Sequence, residues 1–276
     1  KSPTYITPAT MYRIFCFSVL LTTKMDFNVK EKVVVVTGGA QGLGLAMLTS
    51  FLEHGAKLVI CLDIDETEGN KSVDALNQQY GEKAVFYKCN VLTDLDKAYD
   101  TIIKSHQKLD ILINCAGIVN EKSIRKTMEI NTIALMEWSI KFYDHMRRDK
   151  GGSGGAIINI SSIFGFSITP YCPYYHASKF AILGFSRSLG HEINFKNSGV
   201  RILTLCPGFT RTRLINSPIV REDEKASDFF EFISNSGWQD SKDVGEASVE
   251  VFQKADSGSI WLVDVGKLTE KVELYF

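Results

Sequence analysis

A chain of 276 residues, 45% of them hydrophobic and with a formal net charge of −1, has enough core for one large α/β domain or two small ones. The balanced charge leaves no basic footprint for nucleic acid, and five histidines (His54, His106, His145, His176, His191) show no metal-ligand spacing, so neither a nucleic-acid partner nor a metal is expected. The six cysteines form no Cys-x-x-Cys pair, and Cys61, Cys89, Cys115 and Cys206 end apolar runs, which reads as buried reduced thiols in a cytoplasmic protein.

Residues 1–24 read as a leader, disordered or non-native, ahead of a start at Met25. Inside it Ile14–Leu21 is a mostly apolar run of eight residues behind Arg13, too short to span a bilayer. No clear small-x-small cleavage site follows, and membrane contact is not expected. From Glu31 onward short apolar runs alternate with amphipathic stretches. Strands are expected at Val33–Thr37, Lys57–Asp63, Ala84–Asn90, Ile111–Cys115, Ala156–Ser161, Arg201–Cys206 and Ile260–Val265. Helical periodicity covers 43–54, 66–80, 94–107, 122–148, 174–195 and 242–255. Runs of Val and Ile without polar alternation suit strands covered on both faces. The pattern predicts an α/β single-domain Rossmann fold over 25–276, a doubly wound parallel sheet of seven strands with helices on both faces. Gly151–Gly155 is a turn within it rather than a domain boundary. The sequon at Asn159 falls inside an apolar strand, where a glycan has no room.

The first strand runs into Thr37-Gly38-Gly39-Ala40-Gln41-Gly42-Leu43-Gly44. Such a turn lets the backbone approach a pyrophosphate, and the helix that follows aims N–H donors and a favourable dipole at it. Asp63 closes the second strand nineteen residues after Gly44, where a carboxylate accepts both ribose hydroxyls of an adenosine. Asp65 adds negative charge and the glycine turn carries no Lys or Arg. A 2′-phosphate would meet repulsion there, so the cofactor is read as NAD rather than NADP.

Tyr175 and Lys179 stand one helical turn apart in Tyr-His-Ala-Ser-Lys, and Ser162 lies thirteen residues before Tyr175. A free tyrosine titrates near about 10. An ammonium about 4 Å away at an effective dielectric near 20 is worth roughly 4 kcal/mol, or about three pKa units, enough to make a usable base. In this order and spacing, the glycine turn and these three residues resemble the short-chain dehydrogenase/reductase family over nearly all of Glu31–Leu268.

The resemblance implies that Tyr175 is the acid/base and that Lys179 tunes it and binds the nicotinamide ribose. It also implies that Ser162, in preference to Ser161, holds the substrate oxygen, and that Asn131 supports a proton-relay water near the lysine. Tyr174 is excluded because only Tyr175 is four residues before Lys179. The cofactor-binding residues implied are Gly38, Gln41, Gly42, Leu43, Gly44, Asp63, Asn90, Val91, Asn114, Ala116, Gly117, Tyr175, Lys179, Pro207, Gly208, Phe209 and Thr212. Asn90-Val91 stands where the family more often has Asp, and Asn114-Cys115-Ala116-Gly117 has Cys in the second place of the family's Asn-Asn-Ala-Gly.

Two features narrow the branch. Gly117 to Asn131 is only fourteen residues, with Val119-Asn120-Glu121-Lys122 between, which looks like the 15-hydroxyprostaglandin dehydrogenases. The glycine-rich turn at 151–155 and Ile260–Gly266 look like the insect-type alcohol dehydrogenases. Phe209–Trp238 is the expected substrate lid, with Leu214, Ile215, Ile219, Phe229, Phe230, Phe232, Ile233 and Trp238, facing Phe164, Phe166 and Tyr171. An apolar wall suits a small hydrophobic alcohol or ketone, of terpenoid, retinoid or oxygenated-lipid type. The spacing 229, 230, 233 equally describes one helix face docked on the body. The implied activity is NAD-dependent oxidation of the CH–OH group of a secondary or hydrophobic alcohol by a homodimer or homotetramer. The alternatives are an idle NAD-binding sensor or structural partner, and a retinol- or juvenile-hormone-related dehydrogenase held to membrane by its N-terminus.

Overall fold

Val33–Thr37 (β1) is buried along its whole length, as a central strand covered on both faces requires. Its side chains alternate, Val34 and Val36 joining one apolar layer and Val33 and Val35 the other. The computed structural model describes residues 27–216 and 220–270. The leader 1–24, a start at Met25 and Ile219 lie outside the described residues.

The remaining strands are β2 (Leu58–Asp63), β3 (Ala84–Lys88), β4 (Ile111–Asn114), β5 (Gly155–Ile160), β6 (Val200–Pro207), β7 (Ile260–Asp264) and β8 (Lys267–Glu270). They lie in the order β3-β2-β1-β4-β5-β6-β7-β8. The first seven are parallel, and Thr37 pairs with Leu62 on one side and Asn114 on the other. The expected seven-stranded parallel sheet is therefore extended by an eighth strand, antiparallel to β7. Lys267–Glu270 is short and polar, so its sequence carries no strand signal. It is folded back by Val265 and Gly266, both with left-handed φ (48° and 70°), a two-residue hairpin turn.

The helices are α1 (Gly42–Glu53), α2 (Glu66–Tyr80), α3 (Leu95–His106), α4 (Ile124–Met128), α5 (Leu135–Met146), α6 (Pro173–Leu189), α7 (Glu192–Ser198), α8 (Arg213–Asn216), α9 (Ala226–Ser234) and α10 (Ser241–Lys254). Met47, Leu48 and Phe51 of α1 and Val251 and Phe252 of α10 cover one face of the sheet. Ile102 of α3 and Trp138 and Phe142 of α5 cover the other, with the last two rings stacked at 5.7 Å. The helical stretch expected at 122–148 is interrupted by a π-helical turn, Glu129–Ala134. Such widened turns displace the residues they contain from regular helix register, and Asn131 sits in this one.

The chain leaves β1 toward β2 on one side, while β4 returns on the other. The carboxyl ends of the strands consequently diverge at β1, and a crevice opens there.

Candidate active site

The crevice has a volume of about 470 Å³ and is lined by Gly38, Gln41, Gly42, Leu43, Gly44, Asp63, Asn90, Val91, Ala116, Gly117 and Thr212, all expected from sequence. Gly38 has φ +69°, and a Cβ on it would lie 2.8 Å from Ala116 Cα, so only glycine lets the two loops approach. A Cβ on Gly44 would overlap the Gly38 carbonyl, which fixes the tightness of the turn. Thr37 adds a brace that the sequence did not reveal, its Oγ1 accepting from Cys115 N at 3.1 Å and Ala116 N at 3.3 Å.

Asp63 accepts from Ala40 N at 3.0 Å and from Asp65 N at 3.0 Å. It therefore organises the glycine turn while also lining the crevice. Asp65 instead caps α2, accepting from Glu68 N at 3.1 Å. A dinucleotide fits these residues. The first turn of α1 has no acidic side chain and no side-chain cap, and Gln41 Oε1 is buried without a partner.

Beside the crevice an apolar pocket closes to about 70 Å³ around Ser162, Tyr175, Phe164, Cys172, Pro207, Gly208, Phe209 and Phe229. Leu43, Thr212 and Leu214 belong to both walls, so the two spaces adjoin. Phe164 is edge-on to Tyr175 at 6.3 Å and to Phe209 at 5.6 Å, and Tyr171 lies 5.3 Å from Phe229. Of the lid residues, Phe229 and Ile233 are buried, while Phe230 and Phe232 are exposed. Phe166 turns away to pack against Leu183, Cys206 and Ile260.

Tyr175 and Lys179 are both buried on α6. Burial pushes the Tyr175 hydroxyl well above its ordinary range, with the neighbouring Ser162 hydroxyl acting the other way. This differs from the expectation built on charge pairing alone. The Lys179 Nζ stands 5.5 Å from the Tyr175 ring centre and donates to the Ile160 carbonyl at 3.0 Å, so loss of water outweighs the pairing. Burial also draws Lys179 down to about 8, with Cys115 and Cys206 opposing. The Ser161 hydroxyl donates to the Lys179 carbonyl at 3.0 Å, while Ser162 Oγ accepts from Phe164 N at 3.2 Å and shares the pocket wall with Tyr175.

Asn131, Asn114 and Lys179 line neither space and stand behind the walls. Asn131 Oδ1 accepts from Ile118 N at 2.8 Å while its Nδ2 donates to Ile118 O at 2.9 Å and Ser178 Oγ at 3.1 Å. A Cβ on Gly117 would lie 3.3 Å from Asn131 Oδ1 and 3.8 Å from Lys179 Nζ, so the two face each other across that glycine. Asn114 donates to Ser139 and to Asn159, and Asn159 donates to Ser186, each at 2.9 Å. This buried ladder joins β4 and β5 to α5 and α6. Asn90 accepts from Leu92 N at 3.1 Å, and Val91 takes a 2.9 Å bond from Trp138 Nε1 on its carbonyl.

Two functional supports escaped the sequence reading. Glu121, 1% exposed, accepts from Tyr175 N at 2.7 Å and Tyr174 N at 3.0 Å, capping α6 from across the fold. Its neighbour Lys122 meets Asp223 at 2.9 Å, tying the same loop to the lid. His176 holds the wall loop, with Nδ1 against Phe164 O at 2.9 Å and Nε2 accepting from Thr169 N at 3.1 Å. No local pattern marks either contact, because both partners are distant or backbone.

A model described as short chain dehydrogenase matches residues 32–222. A 15-hydroxyprostaglandin dehydrogenase [NAD(+)] of Rattus norvegicus is 38% identical over 74% of this chain and 77% of its own length. The Homo sapiens protein of that name is 37% identical over 74% and 77%. Alcohol dehydrogenase 1 of Ceratitis cosyra is 30% identical over 88% of this chain and 95% of its own. Among solved structures, a 3-ketoacyl-(acyl-carrier-protein) reductase from Brucella melitensis complexed with NADH superposes with a TM-score of 0.73 at 21% identity, covering 86% of this chain and 98% of that one.

Proposed function

The chain belongs to the short-chain dehydrogenase family, and we propose that Tyr175, Ser162 and Lys179 make it an NAD-dependent dehydrogenase of hydrophobic secondary alcohols. It is an oxidoreductase acting on CH–OH groups, and its cofactor is NAD, in keeping with relatives named for that cofactor and with Asp63 at the ribose end of the crevice. The observation that carries the reading is a buried tyrosine sharing a pocket wall with a serine and standing one turn from a buried lysine, where an apolar pocket meets the nucleotide crevice.

Bound in the crevice, NAD supplies the hydride acceptor. Ser162 orients the alcohol oxygen and supports charge developing on it. Tyr175 would receive the hydroxyl proton, with Lys179 one turn along the helix supporting the phenolate and, on leaving the Ile160 carbonyl, holding the nicotinamide ribose. Asn131 fixes Ile118 and the loop opposite Lys179, which keeps a relay water in reach of the ammonium. With NAD bound, Pro207, Gly208, Phe209 and Thr212 would hold its carboxamide end, Asn90 and Val91 its adenine, and Ala116 and Gly117 would leave it room.

Residues 25–276 act as one catalytic domain, with 209–238 as the substrate lid. The pocket admits the carbinol and a few carbons, so a longer alcohol extends past Leu214 and Phe229. Ile133 and Ile140, exposed and seven residues apart, support pairing of two copies through the helices carrying Asn131 and Tyr175. Among the described residues no helix is long and apolar enough to cross a membrane. The test is NADH formation from a panel of secondary alcohols, with Tyr175→Phe as control.

A further inference from the structure

Among the described residues, two charged side chains line the nucleotide crevice, Asp63 and Arg213. Asp63 holds the glycine turn, so among the described residues Arg213 is the cation of that wall. Thr212 places it. The Thr212 Cγ2 lies 3.5 Å from where a Cβ on Gly42 would be, so the segment entering α8 crosses directly over the glycine turn.

The surrounding arginines are already used. Arg211 is held by Asp240 at 3.0 Å, and Arg221 pairs with Glu222. Arg213 has no carboxylate partner among the described residues. An NAD diphosphate carries two negative charges into a partly desolvated crevice. Backbone N–H groups of the glycine turn and α1 satisfy its oxygens but supply only partial positive charge. A guanidinium fork matches phosphate oxygens bidentately.

We propose that Arg213 closes over the cofactor diphosphate from the side opposite the glycine turn. The proposal rests on the dinucleotide reading of the crevice. It has a consequence for the neighbouring pocket, since α8 continues through Leu214 and Ile215 into that pocket's wall. An ion pair at Arg213 thereby seats the substrate wall once the cofactor is in place, and alcohol binds more tightly to the NAD-loaded enzyme than to the free one.

Titration calorimetry on the full chain with ADP-ribose and with adenosine separates the contributions. R213Q is expected to weaken ADP-ribose at least tenfold and leave adenosine unchanged, whereas R211Q changes neither. Raising salt should weaken ADP-ribose binding to the native chain more than to R213Q. Equal ADP-ribose affinity in R213Q and the native chain overturns the proposal, and so does an equal loss of adenosine, which marks a disturbed wall rather than a lost ion pair. Failure of the native chain to bind either probe overturns the dinucleotide reading itself, and the proposal with it.

Discussion

Glu121 holds the first turn of the helix that carries Tyr175, its two carboxylate oxygens taking the Tyr175 and Tyr174 N–H groups at 2.7 and 3.0 Å. A helix whose opening donors are fixed by a buried carboxylate has little freedom to tilt, and Tyr175 sits in that turn. Glu121→Ala leaves two donors without partners. It is expected to cost about 2–3 kcal/mol in urea denaturation, in line with hydrogen bonds to charged groups. Turnover should fall with it, and Glu121→Gln, which retains one acceptor, should lie between. Native stability in the alanine variant would remove Glu121 from the account.

Asp63 holds the glycine turn through Ala40 N, and in the proposed function it also accepts from the adenosine ribose, so its substitution tests both. Asp63→Ala removes the ribose acceptor and the bond to Ala40 N. The ratio of kcat/KM with NAD to that with NADP should drop at least about tenfold, since the repulsion of a 2′-phosphate disappears together with the ribose contact. An unchanged ratio would place cofactor selection elsewhere.

The strand and turn chemistry of the nucleotide half was legible because it is local. Val33–Thr37 was read to the residue, and the glycine turn and Asp63 lie where their spacing puts them. The opposite holds where one residue acts through a distant one. Glu121 stood in plain view in its loop, but its partners are 53 and 54 residues away. The lysine–tyrosine pairing was legible as a spacing but not in its energetics. A charge at about 4 Å in a screened medium favours the phenolate, whereas here both groups are buried and Lys179 is turned to the Ile160 carbonyl. The π-helical turn around Asn131 was invisible for a related reason, since its side chain bonds to Ile118 across the crevice wall rather than within its own helix.

Acid should loosen the substrate wall through His176. Burial lowers its pKa, and its Nε2 must be unprotonated to accept from Thr169 N. A histidine whose folded pKa lies below its unfolded value, about 6.5, adds stability above that value and loses it as pH falls through the folded one. Urea midpoints should decline below roughly pH 6.5, and less steeply in His176→Gln. His106 and His145 are lowered by burial too, so the slope is reduced rather than abolished. An identical slope in the variant would exclude His176 from the effect.

Phe229 is buried in the wall of the apolar pocket, where the proposed function places a long alcohol. Phe229→Leu conserves an apolar wall while removing the ring tilted against Tyr171, at a stability cost of about 1–2 kcal/mol. Specificity should move toward longer chains, read as kcat/KM for a C10 alcohol over that for a C4 alcohol rising severalfold. A uniform change across lengths would mean that this ring does not gate the pocket.

The most direct test follows absorbance of NADH as the native chain meets NAD and a graded series of hydrophobic secondary alcohols, alongside Tyr175→Phe. The account predicts steady NADH formation by the native chain, a loss of at least about a hundredfold in Tyr175→Phe as for removal of a general base, and unaltered NAD affinity in that variant by calorimetry. Equal turnover by native and variant chains would contradict the assignment of Tyr175, and NAD binding with no turnover of any alcohol would contradict the dehydrogenase reading.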